Sequence, residues 1–181
     1  QADGIRNRTL IARGETMFEK PSFCAAAENQ RCLVFVEGFY EHHHSGKRTY
    51  PYFIHLLHRP FFALAGLWEE RVDRTTGERQ RTFCIVTTAP NELMRRIHNN
   101  PRLDGARMPV ILDSQDEQRW LAPLTSTTDV QDLLRLVRPY PEEQMTAYPV
   151  APLLGKGGSG NSNKAHTPFD YPELALANPL A

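Results

Sequence analysis

The stretch from Cys32 to His42, CLVFVEGFYEH, decides how this chain is read. Leu33, Val34, Phe35 and Val36 are consecutive, apolar and β-favouring, which predicts a strand covered on both faces at the middle of the fold. Gly38 breaks the run and permits a bulge or a close backbone approach. Phe39 and Tyr40 then lead to a carboxylate, Glu41, at the strand's end. Shielded in part by those rings, Glu41 suits acid and base work. As an ordinary strand end it simply faces solvent, and both readings stand at this point.

Outward from this stretch, composition sets the bounds. The chain has 181 residues, 40% hydrophobic and 23% charged, enough apolar content for one domain with its own core. Twenty-one basic and 21 acidic side chains cancel, so nucleic-acid binding would need a local patch. Three cysteines, Cys24, Cys32 and Cys84, form no disulfide framework and fit a reducing, cytoplasmic setting. No run has the length of a membrane span, so no membrane partner is expected. The sequence opens at Gln1 without a methionine and soon meets strand-like residues, so the expectation is a chain that starts inside a longer domain.

In chain order, Arg6, Arg8 and Arg13 make the start basic, and residues 9–16 read as a short strand running into a loop. Pro21 suits the first position of a helix carrying Phe23, Ala26 and Ala27. Beyond Glu41, residues 42–49 read as a polar turn. PYFIHLL and FFALAGLWE, joined by His58-Arg59-Pro60, read as a hairpin with an internal second arm. Residues 82–89 predict another buried strand, and Asn91 caps a helix bearing Leu93, Met94 and Ile97, with His98 at its end. MPVIL predicts a short strand. Ser114 with Glu117, and Thr128 with Gln131, read as capping boxes of two helices. Val130, Leu133, Leu134 and Val137 give the second an apolar face, MTAYPV is a last strand, and 155–181 reads as a flexible loop and irregular tail.

Chemistry concentrates at element ends. Histidine is the side chain that normally titrates near neutral pH, so His98 beside a carboxylate could move protons; alone it is a favourable helix C-terminal residue. Arg13 suits a phosphate, or a surface ion pair. His42, His43 and His44, with His55, raise a zinc site and a metal-dependent hydrolase, but no further ligand stands at the right spacing, so no metal and no cofactor is expected. Cys32 and Cys84 lie in apolar strands, where thiols are inert.

The blocks IARGETMFEKPSF, RCLVFVEGFYEH, YPYFI, FALAGLWE, FCIVTTAPNELMRRIH and RMPVIL resemble, in order, those of the SRAP (SOS response-associated peptidase) family over about residues 5–150. The resemblance implies a single α+β domain with antiparallel sheets in a barrel-like arrangement, peripheral helices and a channel for single-stranded DNA. It implies capture of abasic sites, in which a cysteine after the initiator methionine closes a thiazolidine on the sugar aldehyde, and it carries a peptidase or autoprocessing description. The family glutamate falls on Glu41, as proton shuttle, and the histidine on His98, assisting ring opening and reversal. The arginine falls on Arg13, at the phosphate, and Thr87 borders the pocket; Arg95, Arg96, Arg102 and Arg107 extend the electrostatic track. The partner implied is single-stranded DNA containing abasic sites, bound by a monomer associated with the nucleoid. Departures are Gln1-Ala2 in place of the cysteine, Ile11 in place of an asparagine and His42 in place of a tryptophan. Hence the expectation that the N-terminal part is missing, with a non-catalytic single-strand binding module as the alternative.

Overall fold

Val36 closes one strand and Phe39 opens another in a different sheet, so the Cys32–His42 stretch carries the chain from one compact unit into a second. The computed structural model describes residues 10–155 and 158–177. Arg6 and Arg8, and part of the expected flexible tail, lie outside these residues. The first unit gathers residues 10–36, Phe62–Ala89 and Met108–Pro139; the second gathers Glu37–Phe61, Pro90–Arg107 and the residues from Tyr140 onward. The class is α+β, with every strand pairing antiparallel except the first.

In the first unit, β1 (Ile11–Arg13), β2 (Arg31–Val36), β5 (Phe62–Val72) and β6 (Arg79–Thr88) lie in the order β1-β6-β5-β2, and β1 runs parallel to β6. The short β7 (Met108–Pro109) pairs with β6 and β8 (Ile111–Leu112) with β5, so MPVIL is two bridging pieces around Val110 rather than one strand. The middle position belongs to β5, not to β2. Ala63 stands in register with Phe35 of β2 on one side and Leu112 of β8 on the other, and Gly66 with Cys32 of β2 and Ile85 of β6. Among the described residues β2 pairs with β5 alone, and its Phe35 is 59% exposed. A run of β-branched and aromatic residues marks a strand but does not say which edge is covered.

One face of this sheet presents Ala63, Ala65, Leu67, Cys84 and Val86, small enough in part to let helices approach closely. Against it pack Ala27 of α1 (Cys24–Asn29), Trp120 of α3 (Ser114–Leu121), and Leu133 of α4 (Thr127–Leu134) with Leu136 beyond it. Trp120 is fully buried and its Nε1–H donates to the Cys32 carbonyl at 3.1 Å. The Arg31 guanidinium donates to Glu28 O at 2.6 Å, Trp120 O at 2.7 Å, Ala27 O and Ala122 O, closing the C-terminal ends of α1 and α3 together.

The cap positions shift from those read in the sequence. Pro21 lies in a turn before α1, and α3 is capped at Asp113, not through a Ser114–Glu117 box. The box at α4 is Ser126 with Asp129, where a short aspartate reaches back to the cap backbone as the longer Gln131 was expected to do from Thr128.

In the second unit β3 (Phe39–Ser45), β4 (Arg48–Leu56) and β9 (Met145–Pro149) form a sheet in that order. The expected β4–β5 hairpin is therefore absent. The tight turns lie instead at Gly46 (φ +58°), between β3 and β4, and at Gly77 (φ +72°), between β5 and β6, where glycine reaches the left-handed region that His58-Arg59-Pro60 cannot supply. Most of the 42–49 stretch read as a turn is thus strand. Tyr52, Ile54 and Leu56 are buried, and so are Leu93, Met94 and Ile97 of α2 (Glu92–Ile97), which packs on β3. Asn91 caps α2 as expected, accepting from Met94 N–H at 2.9 Å. Among its described residues the tail contains one short helix, α5 (Pro172–Ala177), and Tyr171 fixes it by donating to Val150 O at 2.9 Å.

Candidate active site

Both ends of α2 are tied down, and the consequence falls on the residue just beyond it. At the N-terminal end Glu142 accepts from Leu93 N–H at 3.1 Å and from Arg96 at 3.0 Å, while Asn91 donates to Tyr140 O at 2.9 Å. At the C-terminal end Asn99 makes a reciprocal pair with the β3 backbone: His44 N–H donates to its Oδ1 at 2.7 Å, and its Nδ2 donates to His44 O at 3.0 Å. His43, buried on the same strand, places Nδ1 2.9 Å from Arg96 O. Alternation along β3 puts Glu41 and His43 on one face.

His98, the C-cap of α2, is thereby brought to Glu41. Its Nδ1 lies 3.3 Å from Glu41 Oε2, with side-chain exposures of 15% and 25%. Glu41 Oε1 accepts from His42 N–H at 2.8 Å, which fixes the carboxylate's orientation. Around His98 Nδ1 stand two acceptors, Arg107 O at 2.9 Å and Glu41 Oε2, against one donor, Arg107 N–H at 3.3 Å. A proton on Nδ1 satisfies both acceptors, and Nε2 is then the ring nitrogen left to accept one. A carboxylate behind an imidazole holds its tautomer and stabilises the imidazolium once Nε2 has taken a proton.

Arg107 touches this arrangement through its main chain, which closes the 98–107 loop on the His98 ring. Arg13 and Thr87 belong to the first unit, where they are register partners in the parallel β1–β6 pairing. Arg13 is exposed, whereas Thr87 is buried and donates through Oγ1 to Ala12 O at 3.2 Å. Of the histidines considered as ligands, His43 is engaged with Arg96 O and the Tyr52 ring, and His55 stacks on Phe53. Among the described residues no three His, Cys, Asp or Glu side chains are grouped to hold a metal ion. Asn99 and Glu142 escaped the sequence reading; Asn99 follows a histidine at a helix end, a recognisable capping position, whereas Glu142 carries no local signal.

Comparison with known proteins extends this picture. The family described as SOS response associated peptidase (SRAP) matches residues 1–157. The abasic site processing protein YoqW of Bacillus subtilis (strain 168) is 39% identical over 165 residues, covering 91% of this chain and 66% of that protein. YobE of the same organism, also named an abasic site processing protein, is 38% identical over 151 residues, covering 83% and 64%. A crystal structure of a protein from Bacteroides thetaiotaomicron matches with a TM-score of 0.80 and 34% identity, covering 93% of this chain and 69% of that one. The chain thus spans just under two thirds of the length of these curated relatives.

Proposed function

Because this chain belongs to the SRAP (SOS response associated peptidase) family, we propose that it senses abasic sites in single-stranded DNA, with Glu41 and His98 as the acid–base pair. The observation that carries the reading is the 3.3 Å approach of His98 Nδ1 to Glu41 Oε2 at a partly shielded position. The ring-opened abasic sugar offers an aldehyde. An amine adds to its carbon, the resulting carbinolamine loses its hydroxyl as water, and a thiol adds to the imine to close a thiazolidine. His98 Nε2 takes the proton of the sugar's hemiacetal hydroxyl as the ring opens and hands it to the O4′ that departs. It then takes a proton from the adding amine and returns one to the departing hydroxyl, and Glu41 steadies the imidazolium between transfers. The thiol's proton passes to the imine nitrogen as the thiazolidine closes.

In this reading amine and thiol both come from an N-terminal cysteine that the sequence from Gln1 does not contain, so the test uses the full-length protein. Arg13, Thr87 and Arg107 serve the DNA strand, the arginines through phosphate. Mass spectrometry after mixing that protein with a uracil-excised single-stranded oligonucleotide is expected to show a heat-stable adduct. Absence of the adduct, with the terminal cysteine verified, overturns the covalent reading.

One observation favours a second reading. Ile11, 59% exposed on β1, offers no polar group where the family resemblance expects an asparagine. A non-catalytic single-strand binding module would bind DNA in a salt-sensitive way and take no account of the missing base. Equal affinity for intact and abasic oligonucleotides, without adduct, would select it.

A further inference from the structure

The β3-β4-β9 sheet carries a second cluster of side chains that the Glu41–His98 pair does not use. Strand alternation places Tyr40, Phe53, His55 and Tyr148 on the face opposite to Glu41. Phe53 is the hub: ring centroids of Tyr40, His55, Tyr148 and His166 lie 5.2, 5.7, 5.8 and 5.8 Å from its own, and His55 is inclined to it by only 28°. Gly38 makes this possible, because a Cβ there would stand 2.3 Å from Phe53 Cζ. Tyr148 holds the His166 segment in place, its hydroxyl donating to His166 O at 2.9 Å. Phe53, His55, Tyr148 and His166 line a depression of about 490 Å³, to which Arg59 and Glu37 also contribute. Its volume lies within the ~300–1,000 Å³ of small-molecule sites.

We infer that this depression binds a nucleotide, its base stacked on the Phe53-centred rings and its phosphate directed to Arg59. The chemistry of the lining selects that class. Stacked rings offer a platform that any base can cover, and imidazole edges both donate and accept, as base edges do. A planar guanidinium matches a phosphate, and Glu37 accepts from an exocyclic amine. Two sources supply the same chemistry, a free mononucleotide and a base of the DNA strand near the lesion. Only the second rests on the proposed function above.

The test is an NMR titration of the histidine and tyrosine ring signals with dAMP and, separately, with an adenine-rich single-stranded oligonucleotide free of abasic sites. Signals of His55, Tyr148 and His166 are expected to move with both. Tighter binding of the oligonucleotide per nucleotide identifies the DNA strand as the source, and equal binding identifies the free nucleotide. Replacing His55 and His166 together by alanine is expected to weaken binding about tenfold with an unchanged thermal melt. Ring signals that stay still with both ligands, or undiminished binding by the double variant, overturn the inference. The two readings fail separately: Glu41→Gln is expected to slow adduct formation and leave the ring shifts intact, whereas a protein that forms no adduct yet shifts its rings with dAMP retains this site.

Discussion

A proton-transfer role for His98 depends on which nitrogen carries the hydrogen, and the answer lies in three neighbours rather than in the histidine itself. Arg107 O and Glu41 Oε2 both call for a donor, which a proton on Nδ1 satisfies. Replacing Glu41 by glutamine or His98 by alanine is expected to slow adduct formation by about 10²–10⁴-fold. In Glu41→Gln, whose amide oxygen can still accept from His98 Nδ1, stability should change by less than about 1 kcal/mol. Single-turnover gel assays beside thermal melts check both. At Cys84 burial pushes the thiol up to about 11. The folded protein therefore keeps a proton that the unfolded chain releases. The stability this contributes is fully present below the ordinary thiol range and is lost as pH rises through about 11. At neutral pH iodoacetamide should leave Cys84 unmodified in the folded protein and label it only after denaturation, read by peptide mass spectrometry.

At the scale of elements, the caps show how much a pattern can tell. Asn91 before Glu92 is a local signal, and the structure uses it as written. The true box at α4 uses Ser126 and Asp129, and the competing Thr128–Gln131 pair fits the same template two positions later, so the template alone does not select between them. Arg31 had no local signal at all. It stands at the start of β2, yet its guanidinium closes α1 and, from the other end of the sequence, α3. Arg31→Met keeps the aliphatic stem but orphans carbonyls at two helix ends, and is expected to cost about 2–4 kcal/mol in urea unfolding. A loss below about 0.5 kcal/mol would mean that water replaces the guanidinium there.

At the scale of the whole molecule, each unit is assembled from segments far apart in sequence. A fragment ending at Ala89 retains β5 and β6 but loses β8, Val110, Trp120, Leu133 and Leu136 from the core of the first unit. That fragment is expected to show no near-UV circular dichroism and no cooperative melt, whereas the 181-residue chain shows both. Among the described residues no helix is long and apolar enough to cross a membrane. The amino-acid sequence by itself determined most strand and helix positions and the cap of α2, and it singled out Glu41 and His98, because these rest on periodicity, turn chemistry and residue type read over short spans; the α+β class came from the family resemblance. Tertiary structure alone decided that β5 rather than β2 lies inside its sheet, that β4 leaves β5 for β9, and that Glu41 meets His98. Strand pairing and the docking of a helix end depend on which surfaces find each other across long loops, and alternation along a strand names a face without naming its partner.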